Sequence, residues 1–286
     1  MEITVLIRTR VPIFLLMLVM SALASAQTSS SGENSDGFFE DRLKTASHAD
    51  AEQPHWIAPL FTTTPRLLEQ LRFDAVRQTT KGFDTMNYGG GKGLELIPTH
   101  NTEIGISTPP YLTHEQPGIE NGLGDMSFLL KYRIAAGNEE SGNYIVTAFL
   151  GATVPTGTYK NGASSAVVTP TLAFGKGWGR FDFQTPFAIG IPTENMDKLG
   201  TPLAHNIAFQ YHIHKYFWPE FEVNSTFWSN GAQAGDKQVF LSPGLIVGKF
   251  HLWKRLGMTI GSGVQLPVTD FRTTDRVWLS SLRFPF

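Results

Sequence analysis

Two histidines, His212 and His214, stand two apart in a run of alternating apolar and polar residues, so on a strand both rings face the same side, a spacing that can begin a metal site. No third ligand can be assigned beside them, and a hydrated pair on a wall is the plainer reading. The run Gly89-Gly90-Gly91-Lys92-Gly93 is rich in glycine but lacks the spacing and the strand-to-helix setting of a phosphate-binding loop. It reads as a tight loop leading into a strand. Nucleophilic catalysis would need a serine and a histidine that meet on one wall, and no serine near His212 or His214 has that placement. No catalytic residue, metal or cofactor is therefore expected, and the chain is not expected to be an enzyme.

Charged residues on the polar side of alternating segments are the stronger candidates. If such segments close into a barrel, their polar face lines a lumen, which selects solutes by its width and by its donors and charges. Alternation puts Arg72, Asp74, Lys131, Arg133, Asp182, Gln184, Gln210, His212, His214, Glu222, Lys249 and Arg283 on that face. Opposite charges among them can also pair across the lumen merely to hold the wall.

The elements that would position these residues follow from composition and pattern. Arg8 and Arg10 precede the apolar run Val11 to Met20 and then the small residues Ser21 to Ala26, which is the pattern of a secretory signal peptide cut after Ala26. The apolar run is roughly half of the 18 or more residues a membrane helix needs. No later window supplies such a run, although 41% of the chain is hydrophobic. With no cysteine, stability in an oxidising compartment must come from a sheet rather than from disulfides. A formal charge of −2 without a basic stripe argues against a nucleic-acid partner.

From Gln27 to about Pro65, Ser, Gly, Glu and Asp dominate, which reads as a flexible or helical periplasmic arm or as a plug folded into a lumen. Residues 66–286 carry repeated segments of alternating hydrophobicity, about ten residues each, the pattern of membrane strands. Met126, Phe128, Leu130, Tyr132 and Ile134 alternate with Lys131 and Arg133; Met258, Ile260, Val264 and Leu266 alternate with Gly261, Gly263 and Gln265. The second set has a small, polar face, which favours a barrel with a wet interior over a soluble sandwich.

Strands are expected near 66–78, 90–97, 101–109, 125–136, 143–154, 167–176, 181–191, 204–216, 219–228, 238–249, 256–267 and 276–286. The fold expected is all-β, a single antiparallel transmembrane barrel of about 12 strands, within a range of roughly 10–14. Short links at 98–100, 137–142, 177–179, 217–218 and 250–255 alternate with longer ones near 79–89, 110–124, 155–166, 192–203, 229–237 and 268–275. Tyr111, Trp178, Phe217, Trp218, Trp228, Trp253 and Trp278 fall near strand ends, where a membrane interface selects aromatic rings. Phe284 and Phe286 end the last strand on its apolar face, an expected signal for the outer-membrane assembly machinery.

Gly122-Leu123-Gly124-Asp125 followed by Lys131-Tyr132-Arg133, then Gly151-Ala152-Thr153-Val154-Pro155-Thr156-Gly157 and the aromatic last strand, resemble the outer-membrane transporters named after the meta-cleavage pathway of phenol degradation. The resemblance spans about residues 66–286 and leaves out the arm. It implies a barrel in the bacterial outer membrane through which a small, often aromatic or hydrophobic, solute passes, and it brings no catalytic residue with it. The expected partners are membrane lipids, the assembly machinery and that solute, with the chain acting as a monomer. The alternative expectation is a barrel of the same fold that does not conduct and serves a structural or surface-interaction role.

Overall fold

Residues 35–286 are described in a computed structural model of the chain; the signal peptide expected at 1–26 and the first residues of the arm lie outside the described residues. The described residues fall into two units that divide between Lys44 and Thr45. A helix, α1 (Ser35–Ala51), runs across that boundary. In the first unit Lys44 lies 3.8 Å from Glu40 and 3.7 Å from Asp41, exposed pairs of the kind that contribute little to stability.

In the second unit the alternating segments become strands. These are β1 (Gln70–Thr80), β2 (Phe83–Thr99), β3 (Thr102–Ser107), β4 (Tyr111–His114), β5 (Gly122–Leu123), β6 (Met126–Gly137), β7 (Tyr144–Val154) and β8 (Val167–Trp178). They continue with β9 (Phe181–Ile189), β10 (Ile191–Pro192), β11 (Pro202–Tyr211), β12 (Phe217–Trp228), β13 (Lys237–Trp253), β14 (Leu256–Pro267) and β15 (Arg276–Pro285), with a one-turn helix α2 (Met196–Leu199) before β11. Twelve of them form one antiparallel ring in chain order, closed where β1 pairs with both β2 and β15; β4, β5 and β10 are short additions in two of the longer loops. Closure leaves the ring without a free edge, which is what a sheet needs when no water is present to pair its N–H and C=O groups.

Side-chain parity then decides what meets lipid. On β6, Phe128, Leu130, Tyr132 and Ile134 are 41–56% exposed while Lys131 and Arg133 are buried, so the apolar side faces out and the charged side in. Leu172, Phe187, Phe221, Leu245 and Ile260 repeat the pattern around the ring. In water each such outward side chain would forgo about 1.5–3 kcal/mol of burial. A hydrocarbon surround removes that cost, so the inside-out distribution identifies a membrane barrel. The turns on the side of the C-terminus are short, as at His100-Asn101, Gly179-Arg180 and Lys254-Arg255. In bacterial barrels that is the periplasmic side.

Three expectations are corrected. The long link expected at 79–89 is a two-residue hairpin turn, Lys81-Gly82, with φ of 51° and 82°, the doubly positive geometry that suits strand twist. β2 consequently starts at Phe83 rather than near 90. The glycine run is not a loop but two bulges inside β2: Arg72, Asp74 and Ala75 face Gly93, Gly90 and Tyr88, one additional residue on β2 at each step. Second, β11 ends at Tyr211, five residues before the expected limit of 216, because Ile213 bridges to Phe217 across a turn in which His214 has φ 51°. Third, Trp218 and Trp228 are not interface rings. They share parity with Glu220 and Glu222 and are buried inside the barrel.

Leu172 lies midway along β8 on the outer face. Arginine there should lower folding stability in lipid vesicles by about 2–4 kcal/mol, the cost of a cation near the bilayer midplane. Urea titration of the refolded Leu172→Arg protein checks this; a shift under 1 kcal/mol would place Leu172 away from hydrocarbon.

Candidate functional site

The ring encloses the chain's own residues 53–69. This segment has no ladder of its own, so its N–H and C=O groups must be paired by lumen side chains or pay the cost of buried orphans. Its three prolines, Pro54, Pro59 and Pro65, reduce the number of donors to satisfy and stiffen the path.

The pairing is divided by charge. Arg283 donates to the carbonyls of Ala58 and, at 3.0 Å, Pro59; Arg72 donates to those of Pro59 at 3.3 Å and Leu60 at 2.6 Å. From the other wall, Glu220 accepts the Leu60 N–H at 3.1 Å, and Glu222 accepts those of Phe61 at 2.8 Å and Thr62 at 2.6 Å. Guanidiniums on β1 and β15 therefore hold the carbonyl side of residues 58–60, and carboxylates on β12 hold the amide side of 60–62. Ionised partners make such bonds shorter and stronger than neutral ones. Farther along, Gln184 donates to the Ile57 carbonyl at 3.0 Å, Lys131 to that of Arg66 at 2.9 Å, and Glu103 accepts the Leu68 N–H at 2.5 Å. Arg72 also pairs with Asp74 and Lys131 with Glu103, each at 2.9 Å, so these charges are buried with counter-charges.

Shape reinforces the hydrogen bonds. A Cβ on Gly244, Gly261 or Gly263 would lie 2.7–2.9 Å from Leu60, and one on Gly175 or Gly177 would lie 2.6 Å from Trp56. Glycine is thus required where the wall receives these two side chains. Leu60 and Ile57 join Trp218, Ile246 and Leu279 in one buried apolar cluster flanked by Phe61 and Val76. The small face of β14 therefore meets Leu60 and not the water that its residue types suggest.

Among the candidates named from alternation, Arg72, Asp74, Lys131, Arg133, Asp182, Gln184, Gln210, Glu222 and Arg283 are all buried inside the ring. Asp182, Gln184, Gln210 and Glu220 form a relay across three strands, at 3.0, 3.1 and 2.8 Å. Arg133 instead works at the periplasmic mouth, donating to the Ala49 carbonyl at 2.6 Å and to Glu52 at 2.9 Å. Lys249 sits where the β13–β14 register is irregular and is exposed at that mouth, 3.1 Å from the His55 carbonyl. The two histidines are not brought together: His212 stacks on Trp218 with ring centres 3.8 Å apart, whereas His214 is exposed in the turn. Among the described residues no group of three or more His, Cys, Asp or Glu side chains is placed to hold a metal. Glu95, Glu103, Glu220 and Asn224 also face the lumen and were not among the candidates. Parity carries the missing signal for three of them, since Glu220 and Asn224 each lie two residues from Glu222, and Glu103 alternates with Ile104 and Ile106.

Removing the Glu222 carboxylate leaves the N–H groups of Phe61 and Thr62 buried without acceptors, at about 1–3 kcal/mol each. Glu222→Ala should raise amide exchange at residues 60–62 at least tenfold while the strands keep their protection; unchanged exchange would mean that the clamp contributes nothing. A second expectation concerns pH. Burial pushes the Asp50 carboxyl up, but Arg66 at 2.8 Å, then Lys249 and Gln53, outweigh it and hold the group below its ordinary 3.8. A lowered folded value gives stability that is present above 3.8 and lost as pH falls through the folded value. Exchange at Ala49 to Glu52, corrected for intrinsic rates, should match between pH 7 and pH 5 and rise below 3.8; a rise already at pH 5 would contradict the pairing.

The geometry has known counterparts. A crystal structure of an outer-membrane channel from Pseudomonas putida F1 superposes with a TM-score of 0.57 at 14% identity, covering 82% of this chain and 97% of that one, a likeness of fold. No curated protein matches the chain in sequence. The profile of the family described as the MetA-pathway of phenol degradation matches residues 68–281. Two of the motifs quoted for the sequence resemblance meet in the loops opposite the termini: Asp125 accepts the N–H groups of Gly157 at 2.9 Å and Ala163 at 2.6 Å. A Cβ on Gly162 would lie 2.2 Å from the same carboxylate, so the Gly-Leu-Gly-Asp and Pro-Thr-Gly stretches are two halves of one loop latch. The chain is an outer-membrane β-barrel and belongs to the MetA-pathway of phenol degradation family.

Proposed function

We propose that this barrel is a channel through which a small solute crosses the outer membrane down its gradient, along the part of the lumen that residues 53–69 leave open. The observation that carries the reading is the clamp on residues 58–62, where the wall holds the backbone of an interior segment from both sides. A segment held in this way is a built narrowing of fixed position. Twelve strands suit such an arrangement, since eight leave an interior that side chains fill and sixteen leave an open aqueous pore. The similar structure is described as an outer-membrane channel, which supports a conducting barrel, and the family as a phenol-degradation pathway, which supports a small aromatic solute.

The apolar cluster of Ile57, Leu60, Trp218, Ile246 and Leu279 favours a second reading, a sealed barrel with a structural or surface role, because it packs wall and segment together. Solute entry into liposomes carrying the refolded protein separates the two. Under the channel reading, small aromatic acids and phenols enter faster than into empty liposomes and faster than sugars of similar mass, and Leu60→Ala increases the rate severalfold. A correctly folded barrel that admits no solute would establish the sealed reading.

A further inference from the structure

The glycine run of β2 delivers a lysine to the lumen. Glycines at 89 and 93 have φ of 86° and 63°, and the two bulges between them shift the alternation of β2 so that Lys92 borders an interior cavity instead of facing lipid. Gly93 cannot be replaced without displacing a neighbouring strand, since a Cβ there would lie 2.3 Å from the Ile106 carbonyl. The ammonium of Lys92 is buried and has no hydrogen-bond partner among the described residues. A lysine has three donors to satisfy, and leaving them all unmet in a buried site is costly.

The cavity beside it measures about 190 Å³ and has Thr63 of the interior segment among its lining residues. Two inward rows of the wall frame it. In one row Gly105, Leu129, Gly151 and Thr169 stand opposite one another across four strands, and the two glycines supply the room. In the next, Ser107, Ser127 and Thr153 bring three hydroxyls. A cavity of roughly 150 Å³ accepts a benzene ring. Here the space is of that order, and the lining adds hydroxyls and one cation.

The geometry points to a solute-binding site at this cavity for a small organic carboxylate with a body about the size of one six-membered ring. The carboxylate pairs with the Lys92 ammonium, the hydroxyl row orients it, and the ring occupies the space above Gly105 and Gly151. The site deepens the channel reading and rests on it for its purpose, but binding can be measured without transport.

Equilibrium dialysis of the folded full barrel in detergent, with benzoate and its uncharged counterpart benzyl alcohol, tests the assignment. Benzoate should bind saturably, one per barrel, and at least tenfold more tightly than benzyl alcohol. Lys92→Met should weaken benzoate at least tenfold and leave benzyl alcohol within twofold, and Lys92→Arg should recover most of the loss. Gly151→Val should weaken both ligands: its first carbon meets only ordinary contact, 3.5 Å from Thr169, and its methyls fill the cavity. Wild-type protein that shows no preference for benzoate, or a Lys92→Met barrel that binds it undiminished, overturns the site, and the first of these outcomes needs no variant to fold. Liposome flux on the same preparations keeps the two readings apart. Benzoate flux equal in wild type and Lys92→Met refutes the site and leaves the channel standing, whereas Lys92-dependent binding with sealed liposomes supports the site and refutes the channel.

Discussion

Pairing of backbone groups is the constraint on which the whole molecule depends. A closed ring uses the N–H and C=O groups of its strands laterally, so none remains to satisfy a segment threaded through the middle. Residues 53–69 must therefore be held by side chains, long charged and amide ones at Ile57 to Thr62 and a shorter one where the segment nears the wall, as at Thr147, whose hydroxyl donates to the Pro65 carbonyl at 2.6 Å. This explains a lumen that would otherwise look wasteful. Buried arginines and glutamates lose several kcal/mol each on leaving water, and their mutual attraction seldom exceeds that loss. They are retained here where their donors and acceptors fall on peptide groups, at Ala58 to Thr62, that have no other partner.

Direction follows from the same arrangement. Peptide carbonyls of residues 58–60 turn toward Arg72 and Arg283, and the amides of 60–62 turn toward Glu220 and Glu222. Rotating the segment by half a turn about its own axis would put carbonyls against carboxylates and amides against guanidiniums. Charge thus sets the path and orientation of the backbone, while Leu60 and Trp56, each seated against glycines, set its register along the barrel axis. A slip that brings Pro59 to Glu220 would lose the N–H donated there, and a leucine seated against three glycines opposes a slip in either direction.

What could be read in the sequence is what a single strand encodes. Alternation along Met126–Ile134 assigned Lys131 and Arg133 to the lumen, and the even spacing of segments led to twelve strands in the ring. Features that depend on a partner far away in the chain were not legible. The glycines of β14 look like a hydrated face because the side chain that fills them, Leu60, lies about two hundred positions earlier. The run at Gly89 to Gly93 reads locally as a loop, since bulges break the alternation that marks a strand; only pairing with β1 and the opposing backbone of Ile106 show it to be wall. Trp218 lies near a strand end, as interface rings do, but its parity with Glu220 and Glu222 turns it inward. His214 fell to the turn geometry at the end of β11, which no periodicity reports.

A division of the lumen emerges from these parts. Near Leu60 the space between segment and wall is apolar and packed, with the charges committed to backbone partners. Beside Thr63 the wall carries glycines and hydroxyls in place of long side chains, and a cavity remains. The cavity is lined by inward residues of β3, β6, β7 and β8, Gly105, Ser107, Ser127, Gly151, Thr153 and Thr169, most of them too small to fill it. On the proposed channel reading, selectivity belongs to the wall that lines this cavity rather than to the loops. Asp125 ties Gly157 and Ala163 together in the loops opposite the termini and gives them a rigid shape, but it spends both carboxylate oxygens in doing so. In the lumen, by contrast, a lysine ammonium remains unpaired, and a group that the fold leaves unsatisfied is where a solute can gain binding energy without breaking an existing bond.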